Sequence, residues 1–149
     1  MDLEESRRRV SEARVGRLAT LASDGRPHLV PCCFALVGTT IYTAVDAKPK
    51  ATTSLRRIEN IRSDDRVTLL VDHYDEDWTS LWWVRVDGRA RIVDGDPEQE
   101  REKAIGALVG KYPQYRQVAI PGPVVAIEPE SWQSWSSRPS GRPGRRAIP

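Results

Sequence analysis

The chain has 149 residues, a length that suits one domain around one core. Hydrophobic residues are 39% and charged residues 30%, and no apolar run nears the roughly 20 residues of a membrane span, so no membrane-spanning helix is expected. The formal charge is +2, but the last twelve residues hold four arginines and no acid; without those four charges the body stands at −2, against a general nucleic-acid binder.

The N-terminus, MDLEESRRRV, begins with acids and lacks an apolar stretch, so it is not read as a secretory signal. Residues 3–13 alternate acids and arginines around Leu3, Val10 and Ala13, which predicts a short amphipathic helix. Strands are expected at 15–22 and 27–36, joined at Asp24-Gly25, because such a turn needs positive φ and glycine adopts it cheaply. Pro27 then opens the returning strand, where a missing N–H does least harm. Cys32 and Cys33 are neighbours in that strand and would point to opposite faces, which disfavours a mutual disulfide and favours a reduced, cytoplasmic protein.

A strand at 41–45, a loop at 46–50 and a helix at 51–63 follow, the helix marked by Leu55, Ile58 and Ile61. Residues 67–72 form a near-continuous apolar strand, and 73–80 a polar loop holding Trp78. Residues 81–93 read as a long strand with a candidate bulge at Asp87-Gly88. A helix over 97–110 starts at Pro97 and ends at Gly110 as its C′ residue. A last strand is expected at 123–128, and 131–137 is a turn or short edge strand. The domain therefore spans 1–137, and 138–149 is a Pro-, Gly- and Arg-rich tail with little to bury, expected to be disordered. The order is mainly β. It predicts an antiparallel barrel of about six strands with flanking helices.

Chemistry-bearing motifs are sparse. His28 and His73 lack metal-ligand spacing, and neither a GxGxxG, a Walker A loop nor a GxSxG occurs. An enzyme that borrows chemistry from a cofactor stays open. Lys48, Lys50, Thr52, Thr53, Ser54, Arg56 and Arg57 combine a loop, hydroxyls and a predicted helix start. That is either a phosphate cradle or a solvated basic loop before an ordinary capped helix. Trp78 either stacks on a flat ring or pins its loop. Trp82 and Trp83 are adjacent, so one faces inward and one outward, the outward one a candidate for a dimer interface. Arg85, Arg89 and Arg91 are read as a solvent face, Cys32 and Cys33 as small core residues, and Tyr112 and Tyr115 as a cover over the barrel end.

Three segments together, RLATLASDGRPHLVPCCFAL (17–36), KPKATTSLRRIENIRSDDRVTLLVDHYDEDW (48–78) and VRVDGRARIVD (84–94), resemble the split β-barrel pyridoxamine-phosphate-oxidase-like superfamily. Within it they are most similar to the actinobacterial F420-dependent oxidoreductases. The resemblance implies a six-stranded split barrel that forms a homodimer, with cofactor grooves at the interface. It implies that Lys48, Lys50, Arg56, Arg57 and Asn60 hold the cofactor phosphate, with Thr52 and Thr53 nearby. His28, Leu29, Val30, Pro31 and Cys32 would line the ring, and Trp78 would reach the ring of the other subunit. It implies hydride transfer between the deazaflavin F420 and a small conjugated substrate, with no identified catalytic side chain, no metal, and His28, Tyr74 or water as proton donor. FMN on the same barrel is the alternative, and a non-catalytic F420-, flavin- or haem-binding protein is another. Neither a membrane nor a specific nucleic acid is expected as partner.

Overall fold

A computed structural model describes residues 1–45, 52–93, 98–118, 120 and 122–138. The expected loop 46–50, Pro97 and the tail beyond Arg138 lie outside the described residues. Helix α1 (Leu3–Glu12) is capped by Asp2, whose carboxylate accepts the Glu5 N–H at 2.8 Å. Glu4 and Glu5 lie in its first turn and Arg9 in its last, as the helix dipole favours, and Val10 enters the core.

Strands β1 (Gly16–Leu21) and β2 (Pro27–Cys32) form the expected hairpin. Gly25 turns it at φ 84°, and the Asp24 carboxylate accepts the Arg26 N–H at 3.0 Å. Strands β3 (Phe34–Val37) and β4 (Thr40–Ala44) form a second hairpin at Gly38, φ 61°. Helix α2 (Thr52–Ser63), β5 (Arg66–His73), a 3₁₀ turn (Trp78–Ser80), β6 (Trp82–Val93), α3 (Glu98–Lys111), a second 3₁₀ turn (Pro113–Arg116) and β7 (Val124–Ser136) complete the chain.

The sheet has seven antiparallel strands in the order β2-β1-β5-β6-β7-β4-β3. This corrects the expectation of six. The 27–36 segment is two strands, because at Cys33 the chain leaves β1 and joins β4. The two edge strands of the sheet are thus consecutive in sequence, one residue apart. A sheet with its edges tied so closely has to curl, and the result is a split barrel.

Peptide groups that leave a ladder need other partners. Here side chains supply them. The Thr43 hydroxyl donates to the Cys33 carbonyl at 2.7 Å. Lys111 Nζ donates to the Phe34 carbonyl at 2.9 Å, and the Tyr112 hydroxyl accepts the Phe34 N–H at 3.1 Å. The same hydroxyl lies 3.1 Å from the carbonyls of Phe34 and Arg14, its one proton serving either. Helix α3 therefore runs through Gly110, which is not a C′ residue, and places Lys111 against the crossover.

The 131–137 segment is also neither a turn nor a separate strand. β7 is 13 residues long and pairs with β6 along its whole length. Asp87 faces Ser131 and Gly88 faces Pro129, so the ladder is irregular at the expected Asp87-Gly88 position, but the extra residue is Glu130 of β7 and not a residue of β6. The bulge accommodates Pro129, which cannot donate to a ladder. The barrel interior holds Leu18, Phe34, Ile41, Leu69, Val71, Val84, Val86 and Ile127, each 0% exposed. Ile58 and Ile61 of α2 close one side of that core, while Ala104 and Leu108 of α3 pack in neighbouring clusters. Among the described residues no helix is long and apolar enough to cross a membrane.

Candidate cofactor site

Thr20 of β1 faces His28 of β2 across the ladder. Asn60 of α2 reaches the same point: its amide donates to the Thr20 hydroxyl at 3.0 Å, and it is only 5% exposed. That bond ties α2 to the hairpin and sets Arg57, one turn earlier, against β2. Arg57 is 8% exposed, and among the described residues its buried Nε has no hydrogen-bond partner. His28 Nδ1 is likewise buried, with no hydrogen-bond partner among the described residues. Burial first, and then the charges of Arg56 and Arg57, lower the His28 pKa below its ordinary value and favour a neutral ring.

Buried polar atoms ordinarily find partners, and an unpaired guanidinium nitrogen next to an unpaired imidazole nitrogen is an arrangement able to receive a ligand. β2 adds a further feature. It is the edge of the sheet, so one row of its backbone N–H and C=O groups is left without a strand partner. A flat heterocycle with carbonyl and N–H groups along one side matches such an edge. Leu29 is 65% exposed and Pro31 is exposed beside it, giving the edge an apolar surface. Cys32 is buried, and burial raises its thiol pKa, which keeps it a neutral wall rather than a nucleophile.

The structure therefore brings His28, Arg56, Arg57, Cys32 and, through Thr20, Asn60 together. Thr52 and Thr53 open α2 close by in sequence. Lys48 and Lys50 lie outside the described residues. Trp78 is not at this site within one chain. It stands beyond the far end of β5, while Val67 near the start of β5 is level with Thr20 and His28, roughly 20 Å of strand away. Trp78 is 68% exposed and donates to the Tyr74 hydroxyl at 3.4 Å.

Thr20, Lys111 and Tyr112 escape a reading of local pattern. Their partners are 40, 77 and 78 residues away in sequence, and no short motif records them. Arg85, Arg89 and Arg91 are exposed and paired with Asp87, Asp65 and Glu100, a solvent face as expected. Trp82 packs on the core, while Trp83 stands opposite Trp135 in an apolar cleft of about 490 Å³ on the outer face of the sheet. Among the described residues no group of three His, Cys, Asp or Glu side chains is placed to hold a metal ion.

A family model for pyridoxamine 5'-phosphate oxidase matches residues 3–136. Among solved structures, a conserved hypothetical protein from Mycobacterium tuberculosis is 26% identical, with a TM-score of 0.76 over 100% of this chain and 93% of that one. An FAD-binding protein from Mesorhizobium loti is 25% identical, with a TM-score of 0.67 over 90% and 92%. A haem storage protein from Vibrio cholerae shares the fold at 15% identity, with a TM-score of 0.67 over 90% and 93%. No curated protein matches the sequence. With nearly all of the barrel inside the family match, the chain belongs to the pyridoxamine 5'-phosphate oxidase family.

Proposed function

We propose that the chain is a cytoplasmic, homodimeric oxidoreductase that binds the deazaflavin F420 and passes hydride between it and a small conjugated organic substrate. The observation that carries this reading is the buried Arg57 guanidinium with its unpartnered Nε, beside the unpartnered Nδ1 of His28 and the open edge of β2. A phosphate on Arg57 would satisfy the missing hydrogen bond in a largely desolvated setting, where charge-assisted bonds are strongest. Lys48, Lys50, Arg56, Thr52 and Thr53 are the further groups we assign to that phosphate. The backbone of His28 to Cys32 is assigned to the ring edge, and Trp78 of a second copy to its other face. The bound deazaflavin supplies two-electron hydride chemistry, which the protein itself lacks. The residues of the chain orient the ring, exclude water and offer a neutral imidazole at His28.

FMN is the second reading. It carries one phosphate, which Arg57 would serve equally, and flavin binding is stated for the relative from Mesorhizobium loti. Fluorescence titrations with F420 and with FMN separate the two. Saturable binding of F420 with weak FMN binding supports the proposal, and the reverse preference replaces it with the FMN enzyme. Arg57→Gln should weaken the preferred cofactor by about 1.5–3 kcal/mol, the worth of a charged hydrogen bond. Unchanged affinity would move the phosphate elsewhere, and binding without turnover across a panel of conjugated substrates would leave a cofactor carrier.

A further inference from the structure

Arg14 and Lys111 are two cations gathered on one ring. The Arg14 guanidinium carbon and Lys111 Nζ each lie 5.2 Å from the centroid of Tyr112, and Nζ is also 3.9 Å from that of Phe34. The other arginines of the barrel wall have acids: Arg17 has Asp72, Arg66 has Asp64, Arg89 has Asp65 and Arg91 has Glu100. Among the described residues neither Arg14 nor Lys111 makes an ion pair. Lys111 is half-buried and Arg14 stands exposed beside it: burial first, and then the Arg14 charge, lower the Lys111 pKa to about 8. Two aromatic faces offset part of the cost of that burial. The Phe34 carbonyl takes only one of the three ammonium N–H groups, leaving two for another acceptor.

We infer that Arg14 and Lys111 form an anion-binding site for the carboxylate or phosphate group of a small molecule. An oxyanion there would compensate both cations and accept the spare ammonium hydrogens, with the guanidinium fork as its second clamp. Its two cations are other than those assigned to the Arg57 cradle, and it does not depend on which cofactor that cradle takes.

The test is a ¹H–¹⁵N NMR titration of the intact protein with inorganic phosphate and, separately, with acetate, at constant ionic strength. Saturable shifts at the Lys111 and Tyr112 amides and the Arg14 Nε–H are expected with at least one anion, and the anion that saturates identifies the group. Lys111→Met and Arg14→Gln should each weaken that binding by about tenfold or more, while Arg57→Gln leaves it unchanged. The Arg14 side chain is exposed, so its variant decides the matter should Lys111→Met not fold. Absence of saturable shifts with both anions, or binding lost only with Arg57→Gln, overturns the inference.

Discussion

Lys111, Tyr112 and Cys32 meet at the β2–β3 crossover, and burial pushes all three towards their neutral forms. Their effects on stability run in opposite directions along the pH scale. Lys111 drops to about 8 in the folded chain from an ordinary 10.5. Between those values the unfolded chain holds a proton that the native chain has lost, so stability rises with pH. Tyr112 is pushed up to about 12 from 10, and there the native chain keeps the proton longer, so stability falls as pH rises. Cys32, raised by burial from an ordinary 9.0, opposes the lysine between about pH 8 and 10, so the difference between the parent chain and Lys111→Met, rather than the parent's slope alone, isolates the lysine. Denaturant titrations between about pH 8 and 10 should show the parent chain gaining stability relative to Lys111→Met as pH rises. An unchanged slope in the variant would mean that the ammonium is well solvated in solution.

At the level of the elements, the β6–β7 ladder depends on one glycine. A Cβ on Gly88 would lie 2.4 Å from the carbonyl oxygen of Glu128, a backbone atom that cannot swing aside. Gly88→Ala should therefore cost about 1–3 kcal/mol in chemical denaturation, the range for overpacked sites. Gly106→Ala is the control, because its Cβ would meet nothing within 4 Å. Equal stability of the two variants would mean that the ladder yields at the bulge. The Asp87-Gly88 pair was legible in the sequence because apolar alternation continues on both sides of it. The hairpin at Asp24-Gly25 and the helices were legible for similar reasons of local period and turn chemistry. What local pattern does not carry is pairing between distant segments. Nothing in PHLVPCCFAL records that Cys32 pairs with Gly16 while Phe34 pairs with Thr43. Pro129 reads locally as an interruption, yet β7 passes through it because Glu130 bulges. The candidate site follows the same division. Arg57 and His28 stand out by residue type, whereas the Thr20–Asn60 bond that aligns them exists only once α2 lies on the hairpin.

The whole molecule presents two very different tryptophans at the start of β6. Trp82 faces inward, with the Arg9 guanidinium 5.0 Å from its ring and His73 stacked at 6.3 Å. Trp83 faces outward with Leu70, Leu81, Tyr74 and Trp135 around one apolar cleft. The same face continues through Ala19 to Leu29, which directly oppose each other in the β1–β2 ladder, and carries the Arg17–Asp72 pair. An apolar face of a sheet with a few paired charges fits a second copy better than it fits water. The proposed placing of Trp78 of one copy at the β2 edge of the other requires such a second copy, because one chain alone does not bring the two together. Trp83→Glu should then give a folded monomer by light scattering, with native far-ultraviolet circular dichroism and weakened cofactor binding. Trp82→Glu should instead lower the melting temperature, since it buries a carboxylate against the core. A Trp83→Glu dimer would place the interface elsewhere. A monomer with undiminished cofactor affinity would assign the whole site to one chain and remove Trp78 from it.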